Sequence, residues 1–420
     1  MRAAPVTVLV ALLFLAACVR KSETPKTTPG GGPTPPSAAA QSPTAASPAP
    51  AAAPLRIAFE TSPEFVAPPL GKLRRGINLG NGFDAPQLGA WGVVLSEQHF
   101  EQAARAGLDH VRLPVRFSAY AKAEAPFSLD EEFMRKVDWA IEQALSRKLG
   151  IIVDLHHYEA LMESPDAHRT RAVAIWEQVA ARYASQPAEV LFELVNEPCK
   201  KLDPAKNNQL ARELMATIRR SNPTRTLIVD SYFWAAADQL ANLDLPADPN
   251  VAVSFHMYQP ILFTHQGADW MDPEFRTRGI VFPGPASVPA VPVAAAESTP
   301  WVRDWLHAYN TRPAATNPSG ATAVAAQFDF ATRYAKASGR AVYLGEFGAI
   351  DHADPTSREN YIRLVRREAE RRGFAWAVWD DGGRNQAMNV RAGSWQGPVA
   401  RALFTDQPGD PLPDLGAPVE

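Results

Sequence analysis

The chain has 420 residues, of which 42 are Lys or Arg and 45 are Asp or Glu, so its formal net charge at pH 7 is −3. These charges are spread along the chain without a basic block, which argues against nucleic acid as a partner. About 350 residues follow the N-terminal leader and linker, more than the roughly 250 of a typical α/β barrel but within its range with insertions. A single domain, residues 55–420, therefore accounts for most of the chain.

The first 18 residues are typical of an export signal. Arg2 supplies a positive charge, an apolar stretch follows, and small residues precede Cys18. The apolar stretch is too short for a transmembrane helix. Its end resembles a bacterial lipoprotein box, so we predict that residues 1–18 are a lipoprotein signal peptide and that Cys18 is lipidated. An ordinary secretory signal cleaved near Ala17 is the alternative.

Residues 19–54 are rich in Pro, Ala, Ser, Thr and Gly and contain almost no large apolar side chain. Such a segment cannot bury enough surface to offset the entropy lost on ordering. We predict a disordered linker that reaches on the order of 100 Å when extended. Together with lipidation of Cys18, this linker predicts an exported domain that a lipid anchor holds to a bacterial membrane. We expect the domain in the outer membrane or periplasm, or at the cell surface.

Eight short segments rich in apolar and β-branched residues alternate with amphipathic helical segments in the rest of the chain. Each ends near a polar or aromatic residue, and these residues are Asn81, Arg112, His156, Glu197, Asp230, His256, Glu346 and Trp379. This alternation predicts an α/β fold, a (β/α)8 TIM barrel, in which the strand ends meet at one face. The 90 residues from His256 to Glu346 predict an inserted segment after the sixth strand, at about residues 275–325, beside the cleft.

Two of these strand ends carry glutamates, Glu197 in LFELVNEP and Glu346 in VYLGEFG. A pair of carboxylates at one face of a barrel is what the cleavage of a glycosidic bond requires. One protonates the leaving oxygen, and the other attacks the anomeric carbon or activates water. Because two nearby carboxylates cannot both ionise cheaply, we expect the pKa of one to rise while that of the other stays low.

Other motifs at strand ends accompany the glutamates, namely VRLPVRF with Arg112, DLHHY with His156 and His157, SFHMY with His256 and Tyr258, and AWAVWDDG with Trp379. Together these motifs resemble those of glycoside hydrolase family five, the retaining endoglucanase and mannanase group of the barrel glycosidases. The resemblance covers residues 70–385. It implies a barrel enzyme that cleaves β-linked glycans by double displacement.

The resemblance implies that Glu197 is the general acid/base and Glu346 the nucleophile. Arg112 and Tyr258 are expected to hydrogen-bond Glu346 and keep it charged, so that Glu197 carries the proton. His256 is implied to be a neighbour of the acid/base.

Sugar contacts follow from the same resemblance. His156 is implied to bind a sugar hydroxyl, and Asn196 to bind the 2-hydroxyl of the sugar being cleaved. The indole of Trp379 is implied to stack on the ring of the sugar being cleaved. The alternative is that Trp379 packs in the barrel core. His157 either faces the sugar from a twisted strand end, which we favour, or anchors the barrel.

Two loops complete the predicted site. The opening GINLGNGFDAP resembles the first-strand loop of the family, which brings Asn81 and Asp84 near sugar hydroxyls; a purely structural Gly-rich turn is the alternative. The segment LFTHQGADW after the sixth strand resembles a loop of some endoglucanases in the family and offers His265 and Trp270 to the subsites.

The histidines also permit a metal-dependent hydrolase, because imidazoles and carboxylates at barrel strand ends bind divalent metals. Paired metal ligands more usually come as His-x-His on one strand, whereas the adjacent His156 and His157 are expected to point to opposite sides of a strand. We therefore predict no metal and no cofactor.

The sequence as a whole predicts an endo-β-1,4-glucanase (cellulase) whose partner is a β-glucan polysaccharide or oligosaccharide. A β-1,4-mannanase and an exo-acting β-glucosidase share the fold and the catalytic pair, so both stay open. A glycan-binding lipoprotein without activity is the alternative outside the enzymes, and the presence of both Glu197 and Glu346 argues against it.

Overall fold

The computed structural model describes residues 65–407, 410–411 and 415. The predicted signal peptide with Cys18, the predicted linker and residues 55–64 of the predicted domain lie outside the described residues. Among those that are described, no helix combines the length and the apolar character needed to cross a lipid bilayer.

Eight parallel strands form a closed barrel in chain order. The strands are β1 (Arg75–Asn78), β2 (His110–Val115), β3 (Gly150–Leu155), β4 (Val190–Glu193), β5 (Leu227–Asp230), β6 (Val251–Met257), β7 (Val342–Phe347) and β8 (Ala375–Val378). Parallel pairing of β1 with β8 closes the barrel, with Gly76 opposite Ala377. Each strand lies where the sequence predicts one, and the predicted (β/α)8 barrel is confirmed.

Helices connect successive strands and surround the barrel. They are α1 (Glu97–Arg105), α2 (Phe117–Tyr120), α3 (Glu131–Ser146), α4 (Glu159–Glu163), α5 (Pro165–Arg182), α6 (Pro204–Arg219), α7 (Tyr232–Ala235), α8 (Ile261–Thr264), α9 (Pro300–Thr311), α10 (Ala321–Ser338), α11 (Pro355–Arg371) and α12 (Gly397–Phe404). Short 3₁₀ helices lie at Ala237–Asn242, Pro273–Phe275, Ala294–Ser298, Ala314–Thr316 and Val390–Ala392. A small antiparallel pair, β9 (Met388–Asn389) and β10 (Ser394–Trp395), precedes α12.

Local chemistry sets where three of the long helices begin. Asp130, Asp203 and Asp354 cap α3, α6 and α11 and accept hydrogen bonds from backbone N–H groups in the first turn, at 2.8, 2.9 and 3.0 Å. Pro204 and Pro355 follow the caps of α6 and α11. Proline lacks a backbone N–H, and at the first position of a helix that N–H would have no partner within the helix.

Alternation along the strands divides the core into two parts. In β3, Ile151, Val153 and Leu155 pack in the large apolar layer under the helices, whereas Ile152 belongs to a separate cluster inside the barrel. The inner cluster consists of Leu70, Leu73, Ile152, Leu191, Ile228, Ala252, Tyr343, Ala375 and Ala377. The next inward positions toward the strand ends carry buried polar side chains, and the candidate site is built on them.

The connection between β6 and β7 is the longest of the barrel and contains α8, α9 and α10. Phe282 joins it to α11, because its backbone N–H donates to Ser357 Oγ (2.8 Å) and its carbonyl accepts from Asn360 Nδ2 (3.0 Å). Within the connection, the backbone N–H of Val281 donates to the hydroxyl of Tyr309 on α9 (2.8 Å). The connection therefore packs against the helix that follows β7.

Candidate active site

Arg112, on β2, lies at the centre of the polar layer and is fully buried. Its Nε and Nη2 donate to the two carboxylate oxygens of Glu193 on β4, at 2.8 and 2.6 Å. Nη1 donates to Asn78 Oδ1 and to Glu346 Oε1, both at 2.8 Å, and Nη2 also donates to Asn196 Oδ1 at 2.7 Å. The planar guanidinium therefore ties together side chains from β1 and β7, from the last residue of β4 and from the loop that follows β4.

Glu346 reaches this layer because of a bulge in β7. The pairing of β6 with β7 shifts register just before His256, which lies opposite Glu346, and Gly345 is the extra residue. A Cβ at Gly345 would lie 2.8 Å from His256 Nε2, so only glycine allows this approach. Tyr343 faces into the barrel, and strict alternation from it would turn Glu346 outward.

The carboxylate of Glu346 is 5% exposed and is held by two donors. Arg112 Nη1 donates to Oε1 (2.8 Å), and the hydroxyl of Tyr258 donates to Oε2 (3.0 Å). Both hydrogen bonds favour the ionised carboxylate. These are the two contacts that the family resemblance implies for a nucleophile.

Glu197 follows β4 in an uncommon backbone conformation, with a φ of 51°. Its backbone N–H donates to Oδ2 of the buried Asp230 at the end of β5 (3.0 Å). Its Oε1 lies 2.9 Å from Nδ1 of His256 on β6. Because regular pairing of β4 ends at Glu193, both Asn196 and Glu197 are free of strict alternation and lie beside the polar layer.

The two candidate catalytic carboxylates lie close together beside His256. One carboxylate oxygen of Glu197, one of Glu346 and one ring nitrogen of His256 all lie within 4.8 Å of one another. Retaining glycosidases hold their carboxyl groups about 5 to 5.5 Å apart, whereas inverting enzymes separate them by about 6.5 to 9.5 Å to admit a water molecule. The observed spacing suits direct attack by a carboxylate.

Three carboxylates surround His256. Besides the contact with Glu197, Glu346 Oε2 lies 3.7 Å from Nδ1, and Asp230 Oδ2 lies 3.7 Å from Nε2. Burial lowers the pKa of His256, but the charge of Glu346, the hydrogen bond to Glu197 and the charge of Asp230 together raise this pKa to about 9. The imidazole is therefore charged at neutral pH.

The pKa values of the two glutamates shift in opposite directions. Burial raises the pKa of Glu197, but the hydrogen bond and charge of His256 outweigh it, and the pKa ends below its ordinary value. Burial also raises the pKa of Glu346, and the charges of His256 and Arg112 compensate only in part, so this pKa stays raised. These directions favour a resting proton on His256 rather than on Glu197, and the role of Glu197 as the group that protonates the leaving oxygen stays a prediction.

His156 and His157 lie side by side, with ring centroids 4.2 Å apart and ring planes at 89°. The expectation that they point to opposite sides of a strand is wrong, because β3 ends at Leu155 and His157 has a φ of 51°. Nδ1 of His156 contacts Asp154 Oδ1 (3.0 Å), and the ring stacks on the indole of Trp379 at 5.8 Å and 15°.

Trp379 follows β8 and is partly exposed, whereas Trp376 of the same strand is fully buried in the outer core. The indole lies against the loop after β1 at Gly80, where an added Cβ would be 2.6 Å from Cζ2 of Trp379. A flat, partly exposed indole beside His156 offers a suitable surface for a sugar ring.

The loop after β1 brings Asn81 and Asp84 to different surroundings. Nδ2 of Asn81 donates to the carbonyl of Asp381 (3.0 Å) and so joins this loop to the one after β8. Asp84 is fully buried, and its Oδ2 lies 3.5 Å from Nε2 of His157. Trp91, which the sequence motifs do not single out, lies edge-on to His157 with ring centroids 5.6 Å apart.

His265 and Trp270 lie in the β6–β7 connection, next to Tyr258. The ring of His265 is 5.0 Å from that of Tyr258 and 6.3 Å from that of Trp270, edge-on in both cases. Burial lowers the pKa of His265 to about 4, so its imidazole is neutral. The three aromatic rings form a row that leads to Oε2 of Glu346 through the Tyr258 hydroxyl.

The sequence motifs assign no role to four buried polar residues that support this site, namely Asn78, Asp154, Glu193 and Asp230. A signal was present in the sequence. A lone charged residue interrupts each of the apolar runs IIVDL, VLFEL and LIVD. In a closed barrel such a residue points inward, because an outward charge would be buried under the helices.

The segment α7 is a second feature that sequence reasoning missed. It is a left-handed turn in which Phe233, Trp234 and Ala235 have φ values of 61°, 56° and 53°. The rings of Phe233 and Trp234 are partly exposed and 4.9 Å apart. The backbone N–H of Trp234 donates to the carbonyl of Pro198 (3.2 Å), directly after Glu197. Bulky residues rarely adopt this conformation, and such strain clusters at functional sites.

Three groups of side chains in the described part of the chain could hold a metal ion. They are Asp84 with His156 and His157, Glu193 with Asp230 and His256, and Glu197 with His256 and Glu346. The last two share His256, and a protonated imidazole must lose its proton before it can bind a metal.

A closed parallel barrel with adjacent glutamates after β4 and on β7 defines the class of barrel glycoside hydrolases. The chain belongs to the cellulase family, glycosyl hydrolase family 5, whose sequence model matches residues 76–385. The family resemblance of the motifs is thereby confirmed.

Endoglucanase H of Acetivibrio thermocellus is 28% identical over 324 residues, which cover 77% of this chain and 31% of that protein. The chain therefore spans about a third of the length of this curated relative. Two crystal structures of Thermotoga maritima Cel5A, in complex with cellobiose and with mannotriose, are 33% and 32% identical, both with a TM-score of 0.67. Each covers 79% of this chain and 97% of its own. A hyperthermophilic endo-β-1,4-glucanase in complex with substrate is 31% identical, with a TM-score of 0.68, over 79% of this chain and 96% of its own.

Proposed function

We propose that the protein is an endo-β-1,4-glucanase that cleaves β-1,4-glucan by double displacement. The observation that carries the proposal is the cluster of Glu197, His256 and Glu346, whose nearest donor and acceptor atoms lie within 4.8 Å of one another. This spacing supports covalent attack rather than attack through water. The endoglucanases among the relatives support β-1,4-glucan as the substrate.

In the first step, Glu346 attacks the anomeric carbon while the bond from that carbon to the leaving oxygen breaks. Arg112 and Tyr258 hold the attacking carboxylate in position. Glu197 passes to the leaving oxygen the proton that His256 Nδ1 donates to it along their 2.9 Å hydrogen bond, so this step leaves His256 neutral and Glu197 ionised. The products are a shortened glucan and a glycosyl ester on Glu346.

In the second step, a water molecule takes the place of the leaving chain. Glu197 accepts a proton from the water, whose oxygen attacks the anomeric carbon and releases the Glu346 carboxylate. This proton then returns to His256 Nδ1 along the same hydrogen bond. Two inversions at the same carbon give net retention of the anomeric configuration.

The sugar at the cleavage point contacts residues of the polar layer. Since Oδ1 of Asn196 accepts from Arg112, the amide NH₂ of Asn196 is directed to donate to the 2-hydroxyl. His156 contacts a neighbouring hydroxyl, and Trp379 stacks under the ring. A hydrogen bond to the 2-hydroxyl strengthens as positive charge develops in the transition state.

The cleft extends beyond this subsite along aromatic side chains. His265 and Trp270 line it from the β6–β7 connection, which we treat as an insertion relative to a compact barrel. Phe233 and Trp234 contribute on the side of the leaving chain, because their turn is bonded to Pro198 next to the acid/base. A cleft with stacking residues on both sides of the bond cleaved suits internal attack on a chain.

A β-1,4-mannanase is the second candidate, because a relative of 32% identity has been solved with mannotriose. Glucan and mannan differ at the 2-hydroxyl, so Asn196 and its neighbours decide between them. A site that leaves polar groups unpaired with one of the two sugars can discriminate between glucan and mannan by several powers of ten in kcat/KM. Stacking on Trp379 hardly distinguishes the two sugars. The loops around Asn81 and His265 resemble those of endoglucanases and favour glucan.

The experiment measures kcat/KM for soluble β-1,4-glucan, mixed-linkage glucan, unbranched mannan and an aryl β-glucoside, with Glu346→Ala as the control. An endoglucanase lowers the viscosity of a glucan solution early, whereas an exo-acting β-glucosidase releases glucose first. Higher kcat/KM on mannan than on glucan would make the protein a mannanase. Binding of glucan without any turnover would favour the glycan-binding lipoprotein.

We also propose that Cys18 carries the lipid that anchors the enzyme to a bacterial membrane. The support is the sequence alone, with its short apolar stretch and small residues before Cys18. The full chain is expected in the membrane fraction, and Cys18→Ser is expected to release it or to block its processing. Wild-type protein found wholly in the soluble fraction would contradict the anchor.

A further inference from the structure

We propose that His352 is a positioning residue, which holds the loop that carries Trp270 in place and so strengthens the binding of a glucan chain. His352 lies in the loop after β7. The segment that it holds, residues 266–280 of the β6–β7 connection, is called the Trp270 loop below. The effect on glucan binding rests on the proposed function, because it needs a glucan chain beside Trp270.

The ring of His352 contacts both ends of the Trp270 loop. Its Nδ1 lies 3.0 Å from the backbone carbonyl oxygen of Gln266, and its Nε2 lies 3.2 Å from Nη2 of Arg278. A carbonyl oxygen can only accept a hydrogen bond and a guanidinium can only donate one, so Nδ1 carries the hydrogen and Nε2 accepts. One imidazole therefore ties the beginning of the loop to a residue near its end.

The same ring nitrogen also accepts from the loop after β8. Nη1 of Arg384 lies 2.6 Å from Nε2 of His352 and 3.2 Å from Oδ1 of Asp351. The backbone N–H of Asp351 donates to the carbonyl of Arg384 at 2.9 Å, so the loops after β7 and β8 are joined through the backbone as well. The loop after β8 begins with Trp379. His352 thus connects the Trp270 loop to the loop that carries the stacking residue of the cleavage point.

The base of the Trp270 loop has a second closure that does not depend on His352. Nε2 of Gln266 donates to the carbonyl of Ile280 (2.8 Å), and the backbone N–H of Ile280 donates to Oε1 of Gln266 (3.1 Å). These two hydrogen bonds remain when His352 is replaced. Loss of the imidazole is therefore expected to release the loop from its neighbours without unfolding the connection.

Trp270 lies within this loop and is partly exposed, with its ring edge-on to that of His265 at 6.3 Å. A segment that is held in place before binding loses less conformational entropy when a ligand orders it. His352 is therefore expected to favour glucan chains that are long enough to reach Trp270. Hydrolysis of a short aryl glucoside does not use this contact and is expected to be independent of His352.

The first test is hydrogen–deuterium exchange on the full chain, which needs no enzymatic activity. His352→Ala is expected to speed exchange in the Trp270 loop, for example at Ala268, whose backbone N–H donates to the carbonyl of His265 at 3.0 Å. His307→Ala is the matched control, because His307 is an exposed histidine on α9 of the same connection. It is expected to exchange as the wild type does.

The second test measures KM and kcat separately. His352→Ala is expected to raise KM for soluble β-glucan at least about 3-fold and to leave kcat unchanged, as well as kcat/KM on an aryl glucoside. Arg278→Ala, at an exposed position, is expected to give part of the same rise. The double variant is expected to rise less than the two single effects combined, because both substitutions remove the same contact.

Unchanged exchange in the Trp270 loop of His352→Ala would overturn the proposal, as would an unchanged KM for β-glucan or fully additive effects of His352→Ala and Arg278→Ala. Equal losses on polymer and aryl glucoside would also overturn it, because they would show a general effect on the barrel. Circular dichroism checks that each variant is folded. Faster exchange in His352→Ala together with a wild type that has no glucanase activity would overturn the proposed function alone.

Discussion

The backbone N–H of Glu197 donates to Oδ2 of Asp230, a residue that is 1% exposed and lies at the end of the next strand. This hydrogen bond holds Glu197 at its φ of 51° and so fixes where its side chain begins. Burial and the nearby charge of Glu193 raise the pKa of Asp230 to about 8. Asp230 therefore holds the backbone of Glu197, the proposed acid/base, in place.

Asp230→Ala is expected to lower kcat about 10-fold to 100-fold on an alkyl cellobioside, whose poor leaving group needs the proton of Glu197. The loss should be smaller on 2,4-dinitrophenyl cellobioside, which departs without protonation. Asp230→Asn keeps an oxygen for the Glu197 N–H and is expected to retain most of the activity. Equal losses on both substrates would indicate a general structural role for Asp230 instead.

The catalytic pair predicts different outcomes for its two members. Glu346→Ala is expected to abolish turnover, because no other group can form the glycosyl ester. Glu197→Ala is expected to lower kcat about 10²-fold to 10⁴-fold on substrates with poor leaving groups, and to lower it far less on activated aryl glycosides.

Proton NMR of the first products tests the stereochemistry of the same pair. The β-anomer is expected to appear before mutarotation, as retention requires. Early α-anomer would contradict the assignment of Glu346 as nucleophile. A 2-fluoro glycoside can trap the glycosyl ester. If the ester were found on Glu197, Glu197 would be the nucleophile and Glu346 the acid/base.

The pH dependence follows from the shared proton of the cluster. The pKa of His256 is raised from 6.5 to about 9, so the stabilisation it contributes is fully present below about pH 6.5 and is lost as the pH rises through about 9. The same deprotonation removes the proton that resupplies Glu197, and kcat/KM is expected to fall above about pH 9.

The acid side of the profile depends on Glu346, which must be ionised to attack. Its pKa is raised above 4.5, so the acid limb of kcat/KM is expected to have its midpoint above pH 4.5. The measurement is kcat/KM on an aryl cellobioside from pH 4 to pH 10. An alkaline limb near the ordinary histidine pKa would show that His256 does not hold the proton.

Trp270→Ala is expected to lower kcat/KM on soluble β-glucan about 10-fold while changing aryl-glucoside hydrolysis little, because binding outside the cleavage point is absent from the short substrate. Trp305→Ala is the matched control, since Trp305 stacks on Tyr309 of α9 in the outer part of the connection. Similar losses on polymer and aryl glucoside would place Trp270 at the cleavage point.

The barrel and most of the strand-end residues are predictable from the sequence. Each strand is a short apolar run that ends in a polar or aromatic residue, so Arg112, Glu197 and Trp379 could be located by counting strands. Charges inside apolar runs, such as Glu193 and Asp154, could have been recognised as inward-facing from the same pattern.

Other features depend on contacts between strands and are not visible in a linear pattern. The bulge at Gly345 exists because His256 approaches β7 from the neighbouring strand, and it alone turns Glu346 inward. The left-handed conformation of His157 breaks the alternation that the sequence suggests. The location of the proton on His256 follows from three carboxylates that come from different strands.

The β6–β7 connection has a bearing on how this protein can evolve. Arg112 and the groups it holds belong to the strands or follow them closely, whereas His265 and Trp270 belong to a connection that is hydrogen-bonded to α11 through Phe282. Loops on a rigid scaffold tolerate insertion and exchange. Natural variation or loop grafting in this connection can therefore change the range of glycans accepted while the reaction itself is inherited unchanged.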